Sequence, residues 1–281
     1  MSKKIFLCAI CNISSGSCNE DCKFCTQSVR FKADIPRYRT KPIDEIVAEA
    51  KAAKANGAHG FCLVTAGKGL DEKKESFVIE ACRAVKAEVS DLLIIACNGT
   101  ASLDQLRRLK AAGVDAYNHN LETSRNYYPK ICTTHDWDDR LQTCKNVKEA
   151  GLFLISGGIF GMGESEDDRQ SLLETIAELA PMSVPVNFFH PNPALPLENN
   201  LASMNEAFAL IRRAKAMLPD SRVMIAGGRE ITFKERQHEI FEAGADAMVI
   251  GNYLTTSGES PDKDFEMIKR AGCEIADECH E

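Results

Sequence analysis

This chain of 281 residues has no excess of positive charge, no long apolar run and no compositional break. Lys and Arg number 34 against 41 Asp and Glu, a formal net charge of −7. A nucleic-acid surface needs clustered Lys and Arg to neutralise phosphates, so no nucleic-acid partner is expected. No stretch approaches the ~20 consecutive apolar residues of a membrane span, so no membrane association is expected either. The opening Met-Ser-Lys-Lys-Ile-Phe-Leu-Cys carries two basic residues. It has neither a long apolar region nor a small-residue cleavage site, and the expectation is a cytoplasmic protein. No linker, low-complexity tract or charge block divides the chain, so residues 1–281 are expected to form a single domain. Hydrophobic content of 44% and charged content of 27% are ordinary for a soluble globular protein.

Cysteine is what the chain has in abundance: twelve, spread from Cys8 to Cys279. In a small secreted protein they would form a disulfide framework; in a long chain with no leader, metal binding or catalysis is the expected use. Cys8, Cys62 and Cys97 sit inside apolar runs, where a cysteine is often only a small hydrophobe. Position must decide which ones matter.

One stretch is decisive. Residues 18–27 read Cys-Asn-Glu-Asp-Cys-Lys-Phe-Cys-Thr-Gln, spacing Cys18, Cys22 and Cys25 as C-x₃-C-x₂-C. A structural zinc site usually takes four ligands built from C-x₂-C pairs. Three thiolates instead suit three corners of a cubane iron–sulfur cluster, leaving one iron open to a substrate or cofactor. With Phe24 before the last cysteine, the spacing resembles the signature of radical S-adenosylmethionine (SAM) enzymes. That resemblance implies a 4Fe-4S cluster on the three cysteines, with SAM bound at the open iron and cleaved to a 5′-deoxyadenosyl radical.

Short runs rich in Val, Ile, Leu and Phe alternate with helical patterns along the chain. Strands are expected at 5–10, 60–65, 92–97, 114–120, 152–156, 184–189, 222–226 and 247–250. Helices are expected at 43–56, 71–89, 102–112, 138–150, 167–179, 207–218, 233–243 and 262–270, several closed by Ala-Gly or Asn-Gly. Eight such units imply an α/β fold, a (βα)₈ TIM-type barrel; a doubly wound open sheet is the alternative. Chemistry then belongs on the loops after the strands. The cluster loop, residues 15–30, follows strand one. Cys62 lies on strand two and Cys97 ends strand three. Residues 117–123 (Tyr-Asn-His-Asn-Leu-Glu-Thr) end strand four, residues 156–164 (Ser-Gly-Gly-Ile-Phe-Gly-Met-Gly-Glu) end strand five, Asn187 is on strand six and Arg229 follows strand seven. Asn118 and Asn120 share a strand face, and with Glu122 they suit a ribose or a small polar substrate. Gly157 and Gly158 would let backbone N–H groups approach an anion such as the SAM carboxylate. His119 reads as structural.

Taken in order from about Ser15 to Thr256, these blocks resemble the biotin synthase family. The resemblance implies an enzyme, a sulfurtransferase that inserts sulfur into dethiobiotin to make biotin, consuming two SAM molecules. It implies a second, auxiliary 2Fe-2S cluster on Cys62, Cys97 and Arg229. It gives Asn120, Glu122 and Arg140 roles toward SAM, and Asn118, Asn120 and Asn187 roles toward dethiobiotin. A flavodoxin- or ferredoxin-type electron donor and a homodimer follow from it as well. One position departs: the family's third auxiliary-cluster cysteine should precede Ser-Gly-Gly, and Ile155 stands there. Cys132, in the loop after strand four, is a candidate replacement. Cys8, Cys11, Cys82, Cys144, Cys273 and Cys279 read as structural or surface thiols. The departure leaves a rival on the same barrel, a hydrogenase-maturase-like or carbon-skeleton-modifying radical SAM enzyme. A non-catalytic metal-binding protein and a thiol–disulfide protein are rivals of other classes.

Overall fold

A computed structural model describes residues 2–197 and 201–277. Eight parallel strands close into a barrel: β1 (Lys4–Asn12), β2 (Gly60–Val64), β3 (Leu93–Cys97), β4 (Ala116–Asn118), β5 (Phe153–Ile155), β7 (Ser183–Phe188), β8 (Arg222–Ile225) and β9 (Ala247–Ile250). β9 pairs back onto β1, with Phe6 opposite Ala247 and Cys8 opposite Val249. That closure excludes the open-sheet alternative, because an open sheet keeps two free edges.

Strand alternation splits the barrel into two layers. On β1, Ile5, Leu7, Ala9 and Cys11 pack outward in the larger core between strands and helices. Phe6 and Cys8 point into the lumen, packed with Cys62, Val64, Leu93, Ile95, Ala116, Ile155, Met224, Ala226, Ala247 and Val249. Arg222 lies over the Phe6 ring at 4.7 Å at the end where the strands begin. The outer helices start where side chains satisfy the first backbone N–H groups. Asp71 caps α2 (Glu72–Glu88). Reciprocal capping boxes open α3 (Leu103–Ala111) at Ser102, α6 (Glu166–Leu179) at Ser165 and α7 (Met204–Met217) at Ser203. Ser203 explains why α7 begins before the expected 207.

The elements depart from expectation in three places. The fifth barrel strand is broken into β5 and β6 (Gly158–Phe160), yet both halves keep one register against β7, with Ile155 opposite Ser183 and Gly158 opposite Val186. The expected helix at 233–243 is instead α8 (Arg229–Phe233), a 3₁₀ segment (Lys234–Glu239) and α9 (Ile240–Ala243). Lys234 has a φ of 50° and Arg236 is non-helical, which interrupts the ladder. A short helix, α4 (Tyr128–Ile131), and a marginal strand, β10 (Glu274–Ile275), which pairs with β1 outside the barrel, were not evident from the pattern. The remaining helices are α1 (Ile43–Ala55), α5 (Trp137–Glu149) and α10 (Pro261–Arg270). Among the described residues no helix is long and apolar enough to cross a membrane.

The break in strand five generates a prediction. A Cβ at Gly157 would sit 1.9 Å from the Pro185 carbonyl oxygen and 2.9 Å from its nitrogen, both backbone atoms. Gly157→Ala should therefore lower stability by at least the ~1–3 kcal/mol typical of overpacking, read as a lower urea midpoint by circular dichroism. An unchanged midpoint would show that the two strands separate freely.

Candidate active site

The cluster loop leaves β1 at the end of the barrel where the strands finish, and it is pinned on several sides. The Gln27 carboxamide accepts from Ser15 Oγ (3.2 Å) and Gly16 N (2.6 Å) and donates to Asn12 Oδ1 (3.3 Å). Thr26 and Thr255 hydroxyls are 2.7 Å apart. Lys23 N donates to the Ile131 carbonyl (2.9 Å). The Asp21 carboxylate collects Thr133 N (2.9 Å), Thr134 N (3.2 Å) and the Thr133 and Thr134 hydroxyls (2.5 and 3.0 Å). Inside these ties Cys25 N bonds the Cys22 carbonyl (3.0 Å) and Cys18 N bonds the Gln27 carbonyl (3.2 Å), which folds the three thiols into one turn. Cys18 is buried, Cys22 and Cys25 are half-buried, and all three are free thiols. Burial raises the Cys18 thiol and pushes that of Cys25 up to about 12. An iron centre takes such sulfurs as thiolates and displaces their protons.

Beyond strand four, Arg140 of α5 organises the chain. Its Nε donates to the Asn120 carbonyl (2.6 Å) and an Nη donates to Glu122 Oε1 (3.0 Å). Burial raises the Glu122 carboxyl, and the Arg140 charge opposes that rise. Both side chains act electrostatically on Cys25. Glu122 has a φ of 68°, a left-handed conformation that a glutamate adopts only when its surroundings impose it. Its Oε2 is buried with no hydrogen-bond partner, as is Asn118 Oδ1. Unsatisfied buried acceptors beside a cluster loop are what a bound polar ligand would satisfy. The three thiols and these acceptors fit a 4Fe-4S cluster carrying SAM. Phe24 is half-buried against the outer core. His119 is buried and burial holds its imidazole well below the usual value, so it stays neutral, in keeping with a structural role.

The lumen gathers Cys62 and Cys97. Val64 pairs with Cys97 and Cys62 pairs with Ile95, so the two thiols sit on one face of adjacent strands. The Cys97 side chain, together with burial, raises the Cys62 thiol well above its ordinary value.

The remaining expected residues have surroundings of their own. Arg229 is buried in an ion pair with Asp264 of α10 (2.7 Å), beside Glu230 (3.2 Å) and the Met267 sulfur (3.3 Å). It does not join the lumen thiols; the lumen residue contributed by β8 is Met224. The cause is Gly228, whose φ of +79° turns the chain out of strand alternation before Arg229 opens α8. Gly157 N–H is already given to Asn120 Oδ1 (3.1 Å), so it is not free for an anion. A Cβ at Gly158 would meet the Glu122 carbonyl at 2.7 Å, so both glycines serve close backbone approach. Asn187 spans the barrel wall, donating to the Gly158 carbonyl (3.1 Å) and accepting from Gly227 N (3.0 Å). Cys132 does not face the lumen either: its sulfur is 3.6 Å from Cys22 Sγ and 3.3 Å from His135 Nδ1. Cys8, Cys11, Cys82 and Cys144 are buried and Cys273 is half-buried, while Cys279 lies outside the described residues.

The sequence reading missed the support of the cluster loop. Asp21, Glu20 and His135 belong to it, His135 Nδ1 lying 2.9 Å from Glu20 Oε2 and its Nε2 2.9 Å from the Tyr128 hydroxyl. The only available signal was the polar Thr133-Thr134-His135 run next to a loop cysteine.

Comparison with known proteins agrees with this geometry. The Radical SAM superfamily profile matches residues 12–176, and that of the Biotin and Thiamin Synthesis associated domain matches residues 185–274. The chain is 60% identical over 278 residues to the biotin synthase of Sulfurovum sp. (strain NBC37-1), covering 99% of this chain and 98% of that one. Against the biotin synthase of Aliarcobacter butzleri (strain RM4018) the identity is 58%, covering 99% of each. Among solved structures, the methylornithine synthase PylB superposes with a TM-score of 0.80 at 21% identity, covering 97% of this chain and 84% of that one. The FeFe-hydrogenase maturase HydG from Carboxydothermus hydrogenoformans gives 0.80 at 20%, covering 96% and 67%. At such identities these two show a shared fold alone.

The Asp21 staple is testable by pH. Burial would raise its carboxyl, but hydrogen bonds from Thr133, Cys132 and Thr134 hold it well below the usual range. Because the folded value lies below the unfolded one of about 3.9, the stabilisation is present above about pH 4 and is lost as pH falls through the folded value. Asp21→Ala should unfold at lower urea than wild type at pH 7, and the gap should narrow below about pH 4. A gap independent of pH would remove the carboxylate charge from the explanation.

Proposed function

The chain belongs to the biotin synthase family of radical SAM enzymes, and on that premise we propose how its own residues carry out the conversion of dethiobiotin to biotin. Cys18, Cys22 and Cys25 would hold the 4Fe-4S cluster, and Phe24, packed against the outer core, would steady the loop that carries them. Asn120, Glu122 and Arg140 form the SAM seat. Arg140 fixes Glu122 through Oε1, which leaves Oε2 as an acceptor for a ligand hydroxyl or ammonium group. Asn118, one strand step before Asn120, offers a second unpartnered acceptor toward the substrate. Asn187 is already committed at both ends of its amide, so its part is to set the width of the mouth, with one N–H left for dethiobiotin. Cys62 and Cys97 supply thiolates to the auxiliary iron–sulfur cluster.

When bound, the two clusters and SAM supply the radical that breaks unactivated C–H bonds and the sulfur that replaces hydrogen. The protein's work is orientation and exclusion of water. A carbon radical at large would react with solvent or side chains, so the lumen's apolar wall and fixed polar groups keep it beside its acceptor. A flavodoxin- or ferredoxin-type electron donor, a homodimer and a cytoplasmic location belong to the same proposal. The maturase-like and carbon-skeleton alternatives are not favoured, since the resemblance to such structures extends to the fold alone.

The observation that carries this reading is the pair of buried, unpartnered acceptors Asn118 Oδ1 and Glu122 Oε2 at the strand end that faces the three-thiol loop. With dithionite and dethiobiotin, reconstituted wild-type protein should cleave SAM to 5′-deoxyadenosine and form biotin. Cys22→Ala should do neither. Formation of 5′-deoxyadenosine by Cys22→Ala at the wild-type rate would refute the cluster assignment.

A further inference from the structure

Ile155 cannot bind iron, and Arg229 and Cys132 lie elsewhere, so the auxiliary site on Cys62 and Cys97 needs another protein donor. The lumen contains one. Cys8, on β1, is buried in the same packed cluster as Cys62, Ile155 and Met224. Strand parity puts it there: its neighbours Leu7 and Ala9 pack outward against the helices.

The register fixes its place relative to the other thiols. Cys8 lies opposite Gly60, Ile10 opposite Cys62, and Val64 opposite Cys97. The three sulfurs therefore climb diagonally across three adjacent strands, two residues up at each step. A strand spacing near 4.8 Å and a rise near 3.3 Å per residue separate successive Cα atoms by about 8 Å. Strand parity turns all three side chains inward, with Cys8 and Cys62 in one packed cluster and Cys97 against it.

Bulky and small side chains share the lumen there, with Phe6, Ile95, Ile155 and Met224 packed beside Cys8 and Cys62. Gly60 stands beside Cys8, and a Cβ there would lie 3.1 Å from Cys8 Sγ and 3.2 Å from both Ile95 Cδ1 and the Phe6 ring. Ala116, Ala226 and Ala247 are small members of the same lumen cluster. The other described cysteines outside the cluster loop are committed elsewhere. Cys11 faces outward toward Lys41, and Cys144 donates to the His119 carbonyl (3.2 Å) behind the barrel wall. Cys82 bonds the Ala112 carbonyl, and Cys273 follows α10.

We propose that Cys8 is the third protein thiolate of the auxiliary iron–sulfur cluster, completing a Cys8–Cys62–Cys97 set; this rests on the biotin synthase reading above. On binding, each thiol forms one iron–sulfur bond and releases its proton, and no sulfur of the three changes oxidation state.

The test isolates the auxiliary site in the full-length chain. Cys18, Cys22 and Cys25 are replaced together by Ala, and the protein is reconstituted anaerobically with ferrous iron and sulfide. Iron and sulfide per chain, the visible spectrum and Mössbauer parameters are then measured. This parent should retain iron. Adding Cys8→Ser should abolish that iron or change its Mössbauer parameters, and adding Cys132→Ser should leave it unaltered. In the otherwise native chain, Cys8→Ser and Cys8→Ala should keep the reduced 4Fe-4S electron paramagnetic resonance signal, which reports a folded barrel, while losing auxiliary iron. Retention of auxiliary iron with unchanged Mössbauer parameters in both Cys8 variants overturns the Cys8 assignment and leaves the functional reading intact. A parent without iron overturns the auxiliary site itself, and the Cys8 assignment with it.

Discussion

The pairing of β9 onto β1 is the constraint from which the rest follows. A closed parallel sheet has one inside, and successive residues of every strand must choose between it and the helical layer. In this chain the choice sorts cysteines. Cys62 and Cys8 fall inside by parity, Cys97 joins them at the strand end, and Cys11 and Cys144 fall outside. Neither sequence distance nor local motif has any part in bringing Cys8 and Cys97 together. The same closure gathers the loops after the strands at one end, which is why the three-thiol loop meets strand four's polar residues.

The mouth and the lumen solve the positioning problem differently. A lumen thiol inherits its direction from the strand that carries it. The loop thiols have no such frame, and the chain supplies one through side chains that bond backbone: Gln27 to Gly16, and Asp21 to Thr133 and Thr134. Arg140 does the corresponding work for strand four, tying the Asn120 carbonyl and the Glu122 carboxylate to α5. Its charge also makes the burial of Glu122 tolerable, since an unpaired buried carboxylate is costly. The strain of a left-handed glutamate and the two unfilled acceptors at the same corner are features that a fold built for stability alone would not retain.

Much of this was legible beforehand, for identifiable reasons. The eight barrel strands were visible because buried parallel strands read as short apolar runs, and their order fixes the architecture. Cys18, Cys22 and Cys25 were visible because they are close in sequence. The split of strand five was not, because it arises from the approach of Gly157 to Pro185, residues distant along the chain. Arg229 was misplaced because a motif records order and not direction: a left-handed Gly228 intervenes between the last lumen position and the arginine. The His135–Glu20 pair and the Asp21 staple join segments over a hundred residues apart, so no local pattern announces them.

The isoleucine at 155 looked like an argument against an auxiliary site while the ligand set was read as a motif. Geometry changes its weight. In a barrel, any inward position at the right height presents a side chain to the same central volume, so a donor can move from one strand to another without moving the site. Ile155, Met224 and Cys8 share one packed cluster with Cys62, and a change of donor among them needs only single substitutions on fixed strands. A loop ligand has no such freedom, because a new position would need a new set of backbone ties. The residues that vary least in their placement should therefore be those at the mouth. On the proposed reading, the lumen could exchange a donor between strands and keep one site.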